Sequence, residues 1–177
     1  MTTEFSKWVR LNWVACLVAF LIFAAICGDA LHTPLKHTTM PTYRLASTQW
    51  WQGIDPYSRN DNAGFLYFPQ AAVLFTPFNV VPFYVGEIAW RAVVFGLFLY
   101  ALTRLNAFFP KGGHFSPEKS FLILVLLAIP SSAASLRKAQ FDLPLAALII
   151  RTAAEIAAAR WTAATVWLCL AMALKPL

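Results

Sequence analysis

Two kinds of side chain in this sequence could do chemistry together: carboxylates that follow an apolar run, and basic groups placed singly between such runs. Asp29 and Asp55 are the carboxylates of interest, because a carboxylate beside a dry cavity can act as a general base toward a hydroxyl. Arg137, Lys138 and Lys175 are the basic groups, and cations in such a place can hold a phosphate. A base and a phosphate clamp on one membrane face would suit a lipid-phosphate substrate.

These residues belong to a larger set of polar groups that the predicted topology gathers on one side of the membrane. The set comprises Asp29, His32, His37, Arg44, Asp55, Tyr57, Arg59, Asp61, Arg137, Lys138, Gln140, Asp142 and Lys175. Structural explanations stay open for it: Asp29 can mark a helix end, Asp55 precedes Pro56 in a turn, and the basic groups can reach lipid headgroups. The sequence has no phosphate-loop, zinc-protease or serine-hydrolase motif, and the histidines lack a third ligand, so neither a cofactor nor a metal is expected.

The composition points to the elements that must hold these groups. Of 177 residues, 59% are hydrophobic and 12% are charged, whereas a soluble domain carries about 25% charged residues. The sequence therefore predicts an all-α, multi-pass transmembrane helical bundle in a single integral membrane domain, 1–177. The net charge of +6 is scattered instead of forming a stripe, which argues against nucleic acid as a partner.

Five apolar runs are long enough to be transmembrane helices. They cover residues 11–28, 84–105, 121–136, 141–159 and 161–174. Two charged pairs, Glu87 with Arg91 and Arg151 with Glu155, are spaced four residues apart and predict ion pairs on helix faces. Charges inside a membrane mark either a functional interior or a self-contained structural pair.

The segment 65–82 is apolar but contains three prolines, and the positive-inside rule decides its place. If it crosses, Arg104, Lys111, Lys119 and Arg160 fall outside. If it lies in the interface, these four fall on the cytoplasmic side with Lys7 and Arg10, and Arg137, Lys138 and Lys175 lie at or near the external face. Residues 29–83 then form a first external loop, and 106–119 form a cytoplasmic loop. Two interfacial helices are expected in the external loop, at 42–52 and 65–81, with Pro69 in the first turn of the second and Pro77 kinking it.

Four segments, in order along the chain, resemble glycosyltransferase family 87. They are TYRLASTQWWQGIDPY at 42–57, GFLYFPQ at 64–70, LRKAQFD at 136–142 and ALKP at 173–176. The resemblance implies a GT-C type enzyme that moves a mannose-like hexose or a pentose from a polyprenyl-phosphate donor to a glycolipid or glycan acceptor. It further implies an integral protein of the bacterial plasma membrane, in contact with membrane lipids.

The resemblance also implies roles for particular residues. Arg137, Gln140 and Lys175, with Lys138 beside them, would face the donor phosphate and sugar. Tyr57, Tyr67 and Pro69 would shape the cavity.

The chain departs from the family pattern at several positions. The family often has an acidic residue at the start of its first loop helix, where this chain has TTMP at 38–41, so the base is expected to be Asp29 or else Asp55. The motif glycine is Ala139 and the motif asparagine is Asp142. Family members continue for several further helices, so the sequence is interpreted as the N-terminal portion of such an enzyme.

A noncatalytic or truncated membrane subunit and a transporter are the alternative functions.

Overall fold

The first apolar run forms α1, Trp13–His32, in the computed structural model. The structure describes residues 12–33, 35–36, 38–57, 64–108 and 117–175; His37, Arg59, Asp61 and most of the 106–119 loop lie outside these ranges. The helix continues past Gly28, the predicted end, and places Asp29 in its last turn. The backbone N–H and hydroxyl of Thr33 both donate to the Asp29 carbonyl and end the helix there.

All elements in the described part of the chain are helices, which confirms the all-α prediction. After α1 come α2 (Met40–Trp51), α3 (Pro69–Leu74), α4 (Thr76–Asn79), α5 (Phe83–Asn106), α6 (Pro117–Lys138), α7 (Asp142–Ala157) and α8 (Trp161–Leu174). The chain thus forms an all-α membrane bundle in which α7 packs extensively against both α5 and α8, while α1 contacts α6 and α5.

Three of the described helices are long and apolar enough to cross a membrane: Trp13–His32, Phe83–Asn106 and Lys119–Lys138. The other two predicted spans correspond to α7 and α8. At 1.5 Å per residue these helices are about 24 and 21 Å long, shorter than the roughly 30 Å hydrocarbon core of a typical bilayer. The count of five spans stays a prediction.

The segment 65–81 differs in detail from the single kinked helix that the sequence predicts. It forms two short helices that meet at Phe75, and each has a proline in its first turn. Pro69 occupies the predicted position, but Pro77 lies in the first turn of a separate helix, α4, instead of kinking a continuous one. A proline lacks an N–H and clashes with the carbonyl four residues earlier, so restarting the helix avoids both penalties.

Arg44 on α2 fixes this broken segment. Its guanidinium donates to the carbonyls of Phe78, Asn79 and Val81 at 3.3, 2.7 and 3.0 Å. Three backbone acceptors in and just after the last turn of α4 are thereby satisfied. Arg44, one of the polar groups considered above as candidates, therefore stabilises the fold by binding the backbone of this segment.

Both predicted ion pairs are present and buried. Glu87 and Arg91 are 3.2 Å apart, with side chains 2% and 1% exposed. Arg151 contacts Glu155, which also binds Arg160. Buried charges in a membrane need such partners because an unpaired charge there is expensive.

Gly86 allows α5 to approach the 78–82 turn closely, and this yields a stability prediction. A Cβ at Gly86 would lie 2.4 Å from the Phe78 carbonyl oxygen, whereas a Cβ at Gly96 on the same helix meets nothing within 4 Å. We expect Gly86→Ala to destabilise the protein by about 1–3 kcal/mol through overpacking. Gly96→Ala should instead be neutral or stabilising by up to about 1 kcal/mol.

The measurement is thermal unfolding of the two variants and the parent chain in the same detergent. Equal melting temperatures for Gly86→Ala and Gly96→Ala would contradict the close approach.

Candidate functional site

The ends of five helices meet at one end of the bundle. Three contacts hold them there: Arg137 at the end of α6 binds Asp29 at the end of α1, the Thr39 N–H before α2 donates to the Lys138 carbonyl, and Lys175 after α8 binds Asp142 at the start of α7. We call this region the Asp29 end of the bundle. It unites groups that are up to 146 positions apart in sequence, from Asp29 to Lys175.

Asp29 and Arg137 form the first ion pair of this region. Arg137 Nε donates to Asp29 Oδ2 at 2.7 Å, and the side chains are 41% and 49% exposed for Asp29 and Arg137. The negative end of a helix dipole disfavours a carboxylate and favours a cation, so Arg137 compensates for the position of Asp29 in the last turn of α1. The contact uses Nε, and a guanidinium carries four further N–H donors with which it can grip an anion.

Asp142 and Lys175 form the second ion pair. Lys175 Nζ donates to Asp142 Oδ1 at 2.9 Å and lies 5.8 Å from the centre of the Tyr67 ring. The hydrogen bond to Asp142 raises the pKa of Lys175 above its ordinary value of 10.5. Lys175 is therefore a cation throughout the physiological range, with two further N–H donors.

Aromatic rings pack beneath and beside the ion pairs. Tyr43 contacts Tyr67, Phe75 and Phe141 in edge-on geometry, and its hydroxyl lies 3.2 Å from that of Tyr67. Burial raises the pKa of Tyr43 far above its ordinary value, so this phenol stays neutral. Tyr43, Phe75 and Phe141 are at most 2% exposed, so the cluster is a buried core that supports the partly exposed ring of Tyr67.

Comparison with known proteins identifies the family to which these groups belong. The model of glycosyltransferase family 87 matches residues 65–177, more than half of the chain. The chain belongs to glycosyltransferase family 87. It is accordingly a membrane glycosyltransferase by family, and the suspected resemblance is confirmed. No curated protein and no solved structure matches the chain.

The family 87 match covers some of the predicted site residues and not others. It includes Tyr67, Arg137 and Lys175, and it begins after Asp29 and Asp55. The first ion pair joins the two regions, because Asp29 lies before the matched part and binds Arg137 within it.

Tyr57 and Tyr67 lie together, as a shared cavity wall requires. The Tyr57 hydroxyl donates to the Tyr67 carbonyl at 2.6 Å, and both rings contact Phe65. Tyr57 is about half exposed, and its partial burial raises its pKa above the ordinary value. Asp55 Oδ1 accepts the Tyr57 backbone N–H at 2.9 Å. Asp55 therefore forms the expected turn and sets the position of Tyr57.

Lys138 and Gln140 flank Ala139, the residue that follows α6. Lys138 is exposed and Gln140 is half-buried, and between them Ala139 adopts φ +58°. The Gln140 N–H donates to the Ser135 carbonyl at 3.0 Å, the closing bond of a Schellman motif that places its αL residue at Ala139. The left-handed backbone explains a motif glycine here, since glycine adopts that conformation without strain.

Sequence reasoning missed the contribution of four residues at the Asp29 end. Tyr43, Phe141 and Trp90, whose ring N–H donates to the Ala139 carbonyl at 2.9 Å, were placed on helices or in motifs without a role in the site. Asp142 was among the polar groups without a committed role. The family motifs were the available signal for Asp142, since Asp142 stands at the asparagine position of one motif and Lys175 at the lysine of another. The two side chains bind each other in the structure. Within the described ranges, no three His, Cys, Asp or Glu side chains are grouped to hold a metal ion.

The second ion pair leads to a prediction of pH dependence. Since the pKa of Lys175 is raised on folding, its pairing stabilises the protein fully below pH 10.5, and the stabilisation is lost as the pH rises through the folded value. Asp142→Asn removes the anion and should shift the pKa of Lys175 downward, toward 10.5.

NMR titration of labelled lysine side chains in detergent measures this shift. Asp29→Asn, which breaks the other ion pair at the same end, is the matched control and should leave the titration of Lys175 unchanged. An unchanged pKa of Lys175 in Asp142→Asn would contradict the pairing.

Proposed function

We propose that this chain is the part of a family 87 glycosyltransferase that binds a polyprenyl-phosphate sugar and passes the sugar to a lipid or glycan acceptor. The observation that carries the proposal is the placement of two cations, Arg137 and Lys175, at the same end of an apolar bundle as the carboxylate Asp29. A lipid phosphate needs cations at the membrane boundary and apolar helix surface for its tail. The Asp29 end offers both.

The Asp29 end would face the outside of a bacterial plasma membrane, with the N-terminus in the cytoplasm. Arg104 at the end of α5 and Arg160 between α7 and α8 lie toward the opposite end of the bundle. By the predicted topology, Lys7, Arg10, Lys111 and Lys119 fall on the same side as these two arginines, and this supports the orientation because cytoplasmic loops are rich in lysine and arginine.

Donor binding would exchange partners at the ion pairs. A phosphate offers several oxygens to Arg137 and Lys175 and competes with Asp29 and Asp142 for their N–H donors. Lys138, which is exposed on the same turn, adds positive charge. Gln140 and the tyrosines Tyr57 and Tyr67 are then available to the sugar hydroxyls and ring.

Transfer would be a displacement with inversion at the anomeric carbon. A carboxylate, Asp29 or Asp55, takes the proton of the acceptor hydroxyl, and that oxygen bonds to the anomeric carbon. The bond from this carbon to the phosphate oxygen breaks, and its electron pair leaves with the lipid phosphate. Arg137 and Lys175 stabilise the charge that develops there.

Labelled donors test this function directly. Membranes containing the chain are incubated with tritiated polyprenyl-phosphate mannose or with the corresponding pentose donor, and label is followed into the glycolipid and glycan fractions. Transfer above that of membranes without the chain supports the proposal. No transfer, despite binding of the donor, favours a noncatalytic subunit, and uptake of label without transfer favours a transporter.

Arg137 gives the first mutational prediction. Arg137→Ala should weaken binding of a fluorescent polyprenyl monophosphate by about tenfold or more, because a hydrogen-bonded cation is lost. Arg104→Ala is the control, since Arg104 contacts Tyr100 toward the other end of the bundle. Equal affinities of the two variants would contradict the role of Arg137 as a phosphate ligand.

The identity of the base gives the second mutational prediction. Asp29→Asn should lower kcat by about 100-fold or more, the usual size of general-base catalysis. Asp55→Asn should have a small effect, because an asparagine oxygen can still accept the Tyr57 N–H.

Single-turnover transfer, measured with donor bound to both variants, separates catalysis from binding. A large loss of transfer rate in Asp55→Asn alone would identify Asp55, and not Asp29, as the general base. Wild-type rates in both variants would contradict the assignment of either carboxylate.

A further inference from the structure

The end of α6 carries the proposed phosphate ligand, and its backbone is bound by side chains from other elements. The last carbonyls of a helix have no partner within it. Arg91 on α5 donates to two of them: its Nε lies 3.1 Å from the Leu136 oxygen, which also accepts the Ala139 N–H, and its Nη2 lies 2.7 Å from the Arg137 oxygen. The next two carbonyls bind other donors: Lys138 accepts from Thr39, and Ala139 accepts from Trp90.

Arg91 is itself held in a fixed orientation. It is among the largest fully buried side chains of the described residues, at 1% exposure. Its Nη1 contacts both the carboxylate and the carbonyl of Glu87, each at 3.2 Å. A buried guanidinium needs a charge partner and several acceptors to offset its desolvation, and the acceptors here belong to the turn that presents Arg137.

We infer that Arg91 is a positioning residue for the donor site. It holds the α6 end so that the Arg137 side chain projects toward Asp29 and the boundary of the bundle. The inference rests on the proposed function, in which Arg137 binds the donor phosphate. Arg91 itself, being buried, acts through the backbone of Leu136 and Arg137 and does not contact the donor.

A merely structural role is the rival explanation, and the chain offers a matched control for it. Arg151 and Glu155 form a second buried pair with the same spacing of four residues. Arg151 lies over the rings of Tyr100 and Trp167, so it packs within the bundle without binding the α6 end in any contact described. Loss of a buried arginine is therefore common to both sites, whereas loss of the carbonyl contacts at Leu136 and Arg137 is not.

Arg91→Lys and Arg151→Lys test the inference in the full chain. Lysine keeps the charge but presents a compact ammonium in place of a planar fork, so it cannot repeat the two carbonyl contacts with fixed geometry. Titration with a fluorescent polyprenyl monophosphate should show affinity about tenfold lower for Arg91→Lys, an effect of the size expected for a displaced binding group. Arg151→Lys should bind like the parent chain, even where its melting temperature falls equally.

A double-mutant cycle shows whether the effect passes through Arg137. In the Arg137→Ala background, Arg91→Lys should cause no further loss of donor affinity. A full additional tenfold loss there would overturn the inference, as would equal affinities of Arg91→Lys and Arg151→Lys.

The outcomes separate the inference from the proposed function. If Arg137→Ala binds donor normally, the proposed phosphate site is wrong and the inference is overturned with it. If Arg137→Ala loses affinity and Arg91→Lys does not, only the inference is overturned. Should Arg91→Lys fail to fold, the neutral variant Glu87→Gln with Arg91→Gln removes both buried charges and the guanidinium together. Normal donor binding by that variant would also overturn the inference.

Discussion

Backbone carbonyl groups at helix ends inside or beside a membrane must find donors, because water is scarce there. At the end of α6 this constraint is met by Arg91, Thr39 and Trp90. These donors come from two other elements, so the end of α6 cannot move independently of them. The Asp29 end is assembled around this turn, which also presents the exposed basic groups.

The same constraint explains why a second arginine, Arg44, donates to backbone carbonyls. Arg44 binds carbonyls in and just after the last turn of α4, where the prolines of the 65–82 segment interrupt the helical hydrogen bonds. Polar side chains of α2 and α4 add to this contact, with Ser47 and Trp51 both binding Thr76. Arginine thus satisfies backbone groups at two breaks in the bundle, and a basic residue in an apolar sequence is not evidence of a ligand by itself.

Sequence periodicity and spacing predicted the features that depend on neighbouring residues. The apolar runs became helices, and the charges of Glu87 and Arg91, four residues apart, became a buried pair. Contacts between distant residues were beyond such reasoning. Nothing in the spacing of Asp29 and Arg137 indicates that they bind, and only the topology placed them on one side. Pro77 was misjudged because a proline can begin a new helix as readily as it kinks an existing one.

Burial divides the charged groups of the bundle into two kinds. The pair of Glu87 and Arg91 is closed to solvent, and removing either partner would leave an uncompensated buried charge, so this pair is fixed. The pairs of Asp29 with Arg137 and of Asp142 with Lys175 have side chains from 38% to 49% exposed. An ion pair with that exposure contributes only about 0–1 kcal/mol. The proposed donor phosphate would therefore replace the carboxylates at small cost, while Arg91 holds the α6 end through its backbone carbonyls.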